Sequence, residues 1–212
     1  MQSIESHLEQ MPVVSIIRGV RPNEVEQIGK ALFDAGIRII EVPLNSPTPF
    51  ESIRILSETL GSSCTIGCGT LVNIEDAERV SQAGGKVAVT PNTNPDIIRR
   101  AIELGMIPMP GWATPSEAFA AYQAGARYLK LFPAGSYGSG HVKAVKAVLP
   151  NDAKVLAVGG VGAHNAAEWL EAGIDGFGIG SELYKPGFTA SEVHNRAIEI
   201  VSKINSHRKQ PT

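Results

Sequence analysis

The sequence lacks features that mark several classes of protein. Its 212 residues carry a formal net charge of −2, so there is no excess of basic side chains for binding nucleic acid or an anionic membrane surface. No apolar run reaches the roughly 18 residues that a membrane-spanning helix needs. The first residues, MQSIESH, do not combine a basic start with an apolar stretch, so we expect no signal peptide and predict a cytoplasmic location.

Cysteine is also scarce. Cys64 and Cys68 are the only two, and one such pair without a second pair of ligands is a weak signal for a metal site. We expect two reduced structural thiols, as is usual in a cytosolic protein. The histidines at positions 141, 164 and 194 are not spaced as metal ligands, so no metal site is predicted.

A repeated local pattern runs through most of the chain. An apolar-periodic segment ends in a small residue and a glycine, and a short run typical of a β-strand follows. Such a glycine fits the position just after a helix, where φ is positive. The glycines of this pattern are Gly36, Gly84, Gly105, Gly125 and Gly173.

Eight predicted strands alternate with these helices, and their ends lie 20 to 29 residues apart, near positions 18, 41, 70, 90, 110, 130, 159 and 180. Such alternation predicts a parallel sheet, and repetition at this period favours a closed architecture. We therefore predict an α/β fold: one compact (β/α)8 TIM barrel over residues 1–212, with a short N-terminal helix ending near Gln10. An open doubly wound sheet is the alternative, although it usually has fewer strands.

Two predicted helices begin with the same pattern of residues. Thr48 and Thr114 each precede a proline, and Glu51 and Glu117 follow them three residues later. This spacing predicts a capping box, with proline at the first helical position.

Charged side chains stand at the ends of three predicted strands, where a barrel collects its functional groups. Arg18 ends the first strand, Glu41 lies in the second, and Lys130 interrupts the apolar sixth. Because strand side chains alternate between faces, all three can point into the barrel. A buried structural ion pair between Glu41 and Lys130 is the alternative, but desolvation offsets most of the attraction in such pairs. We therefore predict an active site.

Each of the three charges suggests a chemical role. A lysine is almost never buried without a partner or a function, and burial near Arg18 should lower the pKa of Lys130. A neutral lysine amine is the nucleophile of Schiff-base chemistry. Glu41 is the candidate general acid and base, and the planar guanidinium of Arg18 can clamp a carboxylate.

Glycines end the last two predicted strands, at Gly159-Gly160 and at Gly180-Ser181. Backbone N–H groups at these two positions of a barrel often bind phosphate. The Ser181 hydroxyl and a short helix predicted to follow it could strengthen such a site. The pattern therefore predicts a phosphate site, although tight turns also require glycine.

Taken in chain order, these motifs resemble the 2-keto-3-deoxy-6-phosphogluconate/6-phosphogalactonate aldolase family, which are class I lysine aldolases on a small (β/α)8 barrel. The resemblance extends over residues 12–186. It rests on residues 17–19, 40–47, 67–70, 89–92, 113–118, 129–134, 158–161 and 180–181.

The resemblance implies a Schiff base between Lys130 and the C2 ketone of the substrate, with Glu41 as acid and base. It implies that Arg18 and Thr70 bind the pyruvate end. The residues implied for the phosphate are Gly160, Gly180 and Ser181. The implied reaction is reversible cleavage of a phosphorylated keto sugar acid to pyruvate and glyceraldehyde 3-phosphate, in a homotrimer, without a metal or other cofactor.

The sugar is indicated by the residues before the first glycine pair. Gluconate-type members resemble Pro-Thr there and galactonate-type members Ala-Val, and this chain has Ala157-Val158. The galactonate substrate is therefore expected, and its C4 epimer is the alternative. Trp112 departs from the smaller residue expected at its position; it either lines the site mouth or packs in the core. Phe132 is predicted to be core.

Two other functions remain open from the residues themselves. One is a barrel isomerase or epimerase that shares the phosphate site and uses carboxylates or a metal. The other is a barrel that only binds a phosphorylated ligand. Neither needs a lysine nucleophile opposite a glutamate.

Overall fold

The computed structural model describes residues 3–208. Nine strands form one sheet in which every neighbouring pair is parallel, in the order β5-β4-β3-β2-β1-β9-β8-β7-β6. The strands are β1 Val13–Ile16, β2 Ile39–Pro43, β3 Thr65–Gly69, β4 Val87–Val89, β5 Ile107–Met109, β6 Gly111–Trp112, β7 Tyr128–Leu131, β8 Lys154–Val158 and β9 Gly176–Ile179.

The two edge strands of this order, β5 and β6, are consecutive in the chain. Only Pro110 separates them, and its carbonyl accepts a hydrogen bond of 2.9 Å from the backbone N–H of Lys130. The fifth predicted strand thus ends at Pro110, a residue that has no N–H to donate, and β6 is a further short strand beyond that predicted end. The sheet is a nearly closed barrel, which confirms the predicted fold class.

Helices follow the strands around the outside. They are α1 Ile4–Gln10, α2 Pro22–Asp34, α3 Pro49–Leu60, α4 Ile74–Gln82, α5 Pro95–Glu103, α6 Pro115–Gln123, α7 Ala134–Tyr137, α8 Ser139–Lys146, α9 Ala166–Glu171 and α10 Ala190–Arg208. The predicted N-terminal helix is α1. Within residues 3–208, no helix combines the length and hydrophobicity needed to cross a membrane.

The apolar core has two parts, because alternate strand residues face the helices or the barrel interior. The larger part lies between the strands and the helices. The smaller part fills the barrel from below, where α1 packs Ile4 and Leu8 against interior side chains. Those interior side chains are Val14, Ile39, Val87, Val89, Met109, Tyr128 and Leu156. This floor leaves the other end of the barrel, at the carboxyl ends of the strands, for a site.

The ends of the helices largely follow the predicted pattern. The five glycines of the repeat all have φ between 71° and 107°, as a position after a helix requires. Thr114 forms the predicted capping box with Glu117. At Thr48 the prediction is wrong: its φ is 44°, and its side chain makes no capping hydrogen bond.

Candidate active site

Glu41 and Lys130 lie inside the barrel near the carboxyl ends of their strands. Glu41 is on β2 and Lys130 on β7, each two residues beyond an interior side chain, Ile39 and Tyr128 respectively. Only 3% of Glu41 and 7% of Lys130 is exposed. The two opposite charges predicted to share the interior therefore do so, shielded from water.

Burial changes the acidity of both groups. It raises the pKa of Glu41 to about 7, against the charges of Lys130 and Arg18, which lower that pKa. It lowers the pKa of Lys130 to about 8; the Glu41 charge raises this value, and the Arg18 charge lowers it. Desolvation is the largest cause in each case, because a charged form loses more by leaving water than a neutral one. Near neutral pH, both side chains can therefore gain or lose a proton.

Glycine at position 69 makes room for the Glu41 carboxylate. A Cβ there would lie 2.1 Å from Oε2 and 2.3 Å from Oε1 of Glu41, far inside van der Waals contact. Among the described residues, Oε2 is buried and has no hydrogen-bond partner. An unpaired, desolvated carboxylate oxygen is costly in a folded protein, and it is free to exchange protons with a bound substrate.

Arg18 follows β1, and its guanidinium is held by two neighbouring loops. One terminal nitrogen, Nη1, donates to Thr70 Oγ1 at 3.4 Å and also to Asn45 Oδ1. Thr70 has a left-handed φ of 56°, which is uncommon for a β-branched residue and is typically seen at functional sites. The structure thus brings Arg18 and Thr70 together beside Glu41, as predicted. Asn45 was not predicted as a site residue; its only signal was its place in the segment 40–47.

An apolar well lies directly beside the two buried charges. Besides Glu41 and Lys130, it is lined by Val14, Ile16, Val89, Met109, Leu156, Val158 and Gly178. Such a lining keeps water from the amine and the carboxyl, which sustains their altered pKa values.

A second, more open cavity of about 280 Å³ adjoins the well. The predicted anion-binding residues Gly160, Gly180 and Ser181 line it, together with Arg18. Gly159 and Gly160 have φ of 89° and 76°, a conformation that glycine adopts without strain. The backbone N–H of Gly135 donates to Gly159 O at 2.8 Å and so holds this turn against α7. The structure thus brings the predicted anion-binding residues after β8 and β9 to one cavity.

Three sequence expectations around the site need correction or completion. The short helix predicted after Ser181 is a turn, in which the N–H groups of Leu183 and Tyr184 donate to Gly180 O at 2.8 and 3.0 Å. Phe132 is not core: its side chain is 39% exposed and lines the open cavity, with the ring centroid 4.9 Å from Lys130 Nζ. Trp112 packs instead of lining the mouth.

Trp112 is only 1% exposed and belongs to the outer core. It pairs with Leu131 in the β6–β7 register, and both face the helices, whereas the neighbouring Lys130 faces inward. Both cysteines, Cys64 and Cys68, are buried and unpaired, as expected. Among residues 3–208, no three His, Cys, Asp or Glu side chains are grouped so that they could hold a metal ion.

Comparisons with known proteins identify the family of this chain. The family described as KDPG and KHG aldolase matches residues 4–200. A protein of Rhizobium meliloti (strain 1021), named "Probable 2-dehydro-3-deoxy-6-phosphogalactonate aldolase", is 46% identical over 195 residues, which is 92% of each chain. The 2-dehydro-3-deoxy-6-phosphogalactonate aldolase of Escherichia coli (strain K12) is 41% identical, over 90% of this chain and 93% of its own.

A solved structure described as "Native KDPGal structure" superposes with a TM-score of 0.93 at 39% identity, covering 95% of this chain and 98% of that chain. Both the sequence and the fold therefore match these aldolases over nearly their whole length. The chain belongs to the KDPG and KHG aldolase family, and it is an aldolase, an enzyme that makes and breaks carbon–carbon bonds.

Proposed function

We propose that this aldolase reversibly cleaves 2-dehydro-3-deoxy-6-phosphogalactonate to pyruvate and D-glyceraldehyde 3-phosphate through a Schiff base on Lys130. The observation that carries the proposal is a buried lysine with a pKa near 8, beside a buried glutamate with a pKa near 7, at the carboxyl ends of the barrel strands. The names of the relatives supply the substrate.

In the proposed reaction the neutral amine of Lys130 attacks the C2 ketone, protonated Glu41 gives its proton to the departing hydroxyl, and the loss of water leaves an iminium. Glu41, ionised, takes the proton of the C4 hydroxyl as the C3–C4 bond breaks, and the bonding electrons move into the iminium to form an enamine. Glyceraldehyde 3-phosphate leaves. Glu41 then gives its proton to C3 of the enamine. Hydrolysis of the resulting iminium releases pyruvate and the free amine, and the proton set free returns to Glu41.

The charges around the pair suggest how the substrate lies. The proposed partner of the C1 carboxylate is the Arg18 guanidinium with the Thr70 hydroxyl, which lies within 3.4 Å of it. The proposed phosphate ligands are backbone N–H groups at Gly160 and Gly180 and the hydroxyl of Ser181. C3, where the carbanion equivalent forms, would then lie beside Lys130 and Glu41, next to apolar side chains that keep water away.

The preference for one sugar acid over its C4 epimer depends on the side chains between the carboxylate-binding and the phosphate-binding residues. Val158 lines both the apolar well and the open cavity, as Ile16 does, so it lies next to the middle of the substrate. Its methyl groups cannot form a hydrogen bond with the C4 hydroxyl. Glu41 is then the group that meets the C4 hydroxyl, and a valine that forms no hydrogen bond with this hydroxyl adds only modest discrimination between C4 epimers.

Borohydride trapping with pyruvate tests the mechanism. Reduction should fix a pyruvyl group on Lys130, detected by intact mass and located by peptide mapping. Lys130→Met should abolish both the adduct and turnover, whereas Lys143→Met, at an exposed lysine of α8, should change neither. An adduct on another lysine, or none with active protein, would refute the Schiff base at Lys130.

Comparison of the two C4 epimers tests the substrate. We expect kcat/KM for the galactonate epimer to exceed that for the gluconate epimer by a factor on the order of ten. The release of pyruvate, followed with a coupled dehydrogenase, gives both values. Faster cleavage of the gluconate epimer would reverse the assignment.

We also infer a cytoplasmic homotrimer, from the family resemblance. Val72 and Ile74, 49% and 39% exposed just beyond β3, offer apolar surface for contact between copies. Sedimentation equilibrium should give three times the mass of one chain, and a monomer mass would remove the trimer from the proposal.

A further inference from the structure

Two hydrogen bonds link the loop after β1 to the loop after β2. Arg18 Nη1 donates to Asn45 Oδ1, and the backbone N–H of the next residue, Gly19, donates to Ser46 Oγ at 2.9 Å. Ser46 is buried, whereas Asn45 is exposed and its side chain accepts only from Arg18 among the described residues. Any effect of the Asn45 side chain on the site is therefore exerted through Arg18.

Arg18 occupies a position from which it could serve either anionic end of a substrate. Its strand, β1, lies between β2 and β9 in the barrel. On one side are Glu41 and Thr70; on the other is the open cavity with its glycine turns, which Arg18 also lines. An arginine side chain is long and has several rotatable bonds, so the position of its guanidinium depends on what holds it.

The two side chains that accept hydrogen bonds from the Arg18 guanidinium lie on the same side of it. Asn45 follows β2, and Thr70 follows β3, so together they draw Nη1 toward the Glu41 side of the mouth. We propose that Asn45 is a positioning residue that commits Arg18 to the carboxylate end of the substrate instead of the phosphate end. This inference rests on the proposed function and assigns a residue that the family resemblance did not.

The amide is suited to this role because it is neutral. Asn45 offers an acceptor of the same shape as aspartate, but it leaves the positive charge of Arg18 uncompensated for the substrate carboxylate. A carboxylate at this position would pair with Arg18 more strongly and compete with the substrate for the same donors. Asn45→Asp should therefore weaken pyruvate binding more than Asn45→Ala does.

The test is the KM for each substrate in the condensation direction, with pyruvate and glyceraldehyde 3-phosphate varied separately. Asn45→Ala should raise the KM for pyruvate about tenfold, the loss expected for one hydrogen bond to a charged group, and change the KM for the aldehyde much less. Asn45→Asp should raise the KM for pyruvate more than Asn45→Ala does. KM does not depend on the fraction of folded enzyme.

Asn23→Asp is the matched control, because Asn23 is exposed in the first turn of α2 at the same end of the barrel. It adds the same charge and should leave the KM for pyruvate unchanged. A purely structural Asn45 would make aspartate, its closest analogue in shape, the milder change. A smaller rise in the KM for pyruvate in Asn45→Asp than in Asn45→Ala would overturn the inference. So would an equal rise in the KM values for pyruvate and the aldehyde, or an Asn23→Asp effect as large as that of Asn45→Asp.

The outcome can be separated from that of the proposed function. If wild-type enzyme forms no pyruvyl adduct on Lys130, the proposed function fails first. If the adduct forms and the KM values follow another order, only the role of Asn45 fails.

Discussion

At the scale of single residues, Lys130 and Glu41 depend on burial for their chemistry. Each charge also acts on the other: the Glu41 charge raises the pKa of Lys130, and the Lys130 charge lowers that of Glu41. A buried ion pair contributes little stability, because desolvation costs about as much as the attraction returns. What the arrangement does provide is an amine that can be neutral near physiological pH.

Glu41→Gln tests this coupling. Without the negative charge, nothing at this position raises the pKa of Lys130, so that pKa should fall below about 8. The amine must be neutral to attack, so the half-maximal pH of adduct formation with pyruvate should move to lower pH while turnover is lost. Trapping rates measured across pH would give the midpoint pH of wild-type enzyme and of Glu41→Gln. A shift of this midpoint to higher pH in the variant would contradict the coupling.

Gly69→Ala should displace the Glu41 carboxylate without unfolding the barrel. The added methyl group would overlap both carboxylate oxygens, and these are the end of a flexible side chain that can move away. A misplacement near 1 Å can cost on the order of a hundredfold in rate, so we expect kcat to fall by about that factor.

The measurement for Gly69→Ala is kcat together with the midpoint of thermal unfolding. Trapping of pyruvate on Lys130 should persist, since the lysine is not touched. An unchanged kcat would mean that the position of the Glu41 carboxylate is unimportant, which the proposed mechanism does not allow.

At the scale of elements, identical local signals at two helix starts had different outcomes. Thr114 accepts from Glu117 N at 3.3 Å and closes its capping box. Thr48 is likewise followed by a proline and, three residues on, by a glutamate, but it lies in the loop whose residues Asn45 and Ser46 contact the β1 loop. The left-handed φ of Thr48 keeps its side chain from the cap, so the tertiary contacts of the loop prevailed over the local signal.

Thr114→Ala should lower the free energy of unfolding by about 1 kcal/mol, the usual value of an N-cap hydrogen bond. Thr48→Ala, at the matched position, should cost clearly less because no cap is lost. Urea unfolding at one fixed protein concentration measures both. Equal costs would show that the geometry of the cap does not determine its contribution.

At the scale of the whole molecule, the barrel is closed from below by α1 and open at the other end. Ile4 and Leu8 fill the lower end of the interior, so the buried charges lie above an apolar floor. Stability and function are thus separated along the barrel axis, as is general for this fold.

Leu8→Ala should lower the free energy of unfolding by about 2 to 4 kcal/mol, because the 7% exposed side chain leaves a cavity in the floor. The KM for pyruvate should not change. Glu9→Ala, exposed on the same helix, is the control and should have little effect on either quantity. A raised KM for pyruvate in Leu8→Ala would show that packing at the lower end of the barrel affects substrate binding at the other end.

Sequence periodicity alone was enough to determine the alternation of strands and helices, the positive φ of the five helix-ending glycines, and the inward parity of Glu41 and Lys130. These features depend on neighbours in the chain: the pleat of a strand and the left-handed turn after a helix are local properties. The assignment of Lys130 as a nucleophile followed from the cost of burying an amine in such a strand.

Tertiary structure alone decided the remaining features. The extra strand β6, the uncapped Thr48, the packing of Trp112 away from the mouth, the exposure of Phe132 and the Asn45 link to Arg18 each depend on residues distant in sequence. Closing a barrel brings together loops that the chain separates by 27 residues, as in the Arg18–Asn45 contact, and no local signal records which side chains then meet. For that reason the sequence indicated the chemistry of the site, and only the assembled barrel revealed how its charges are held.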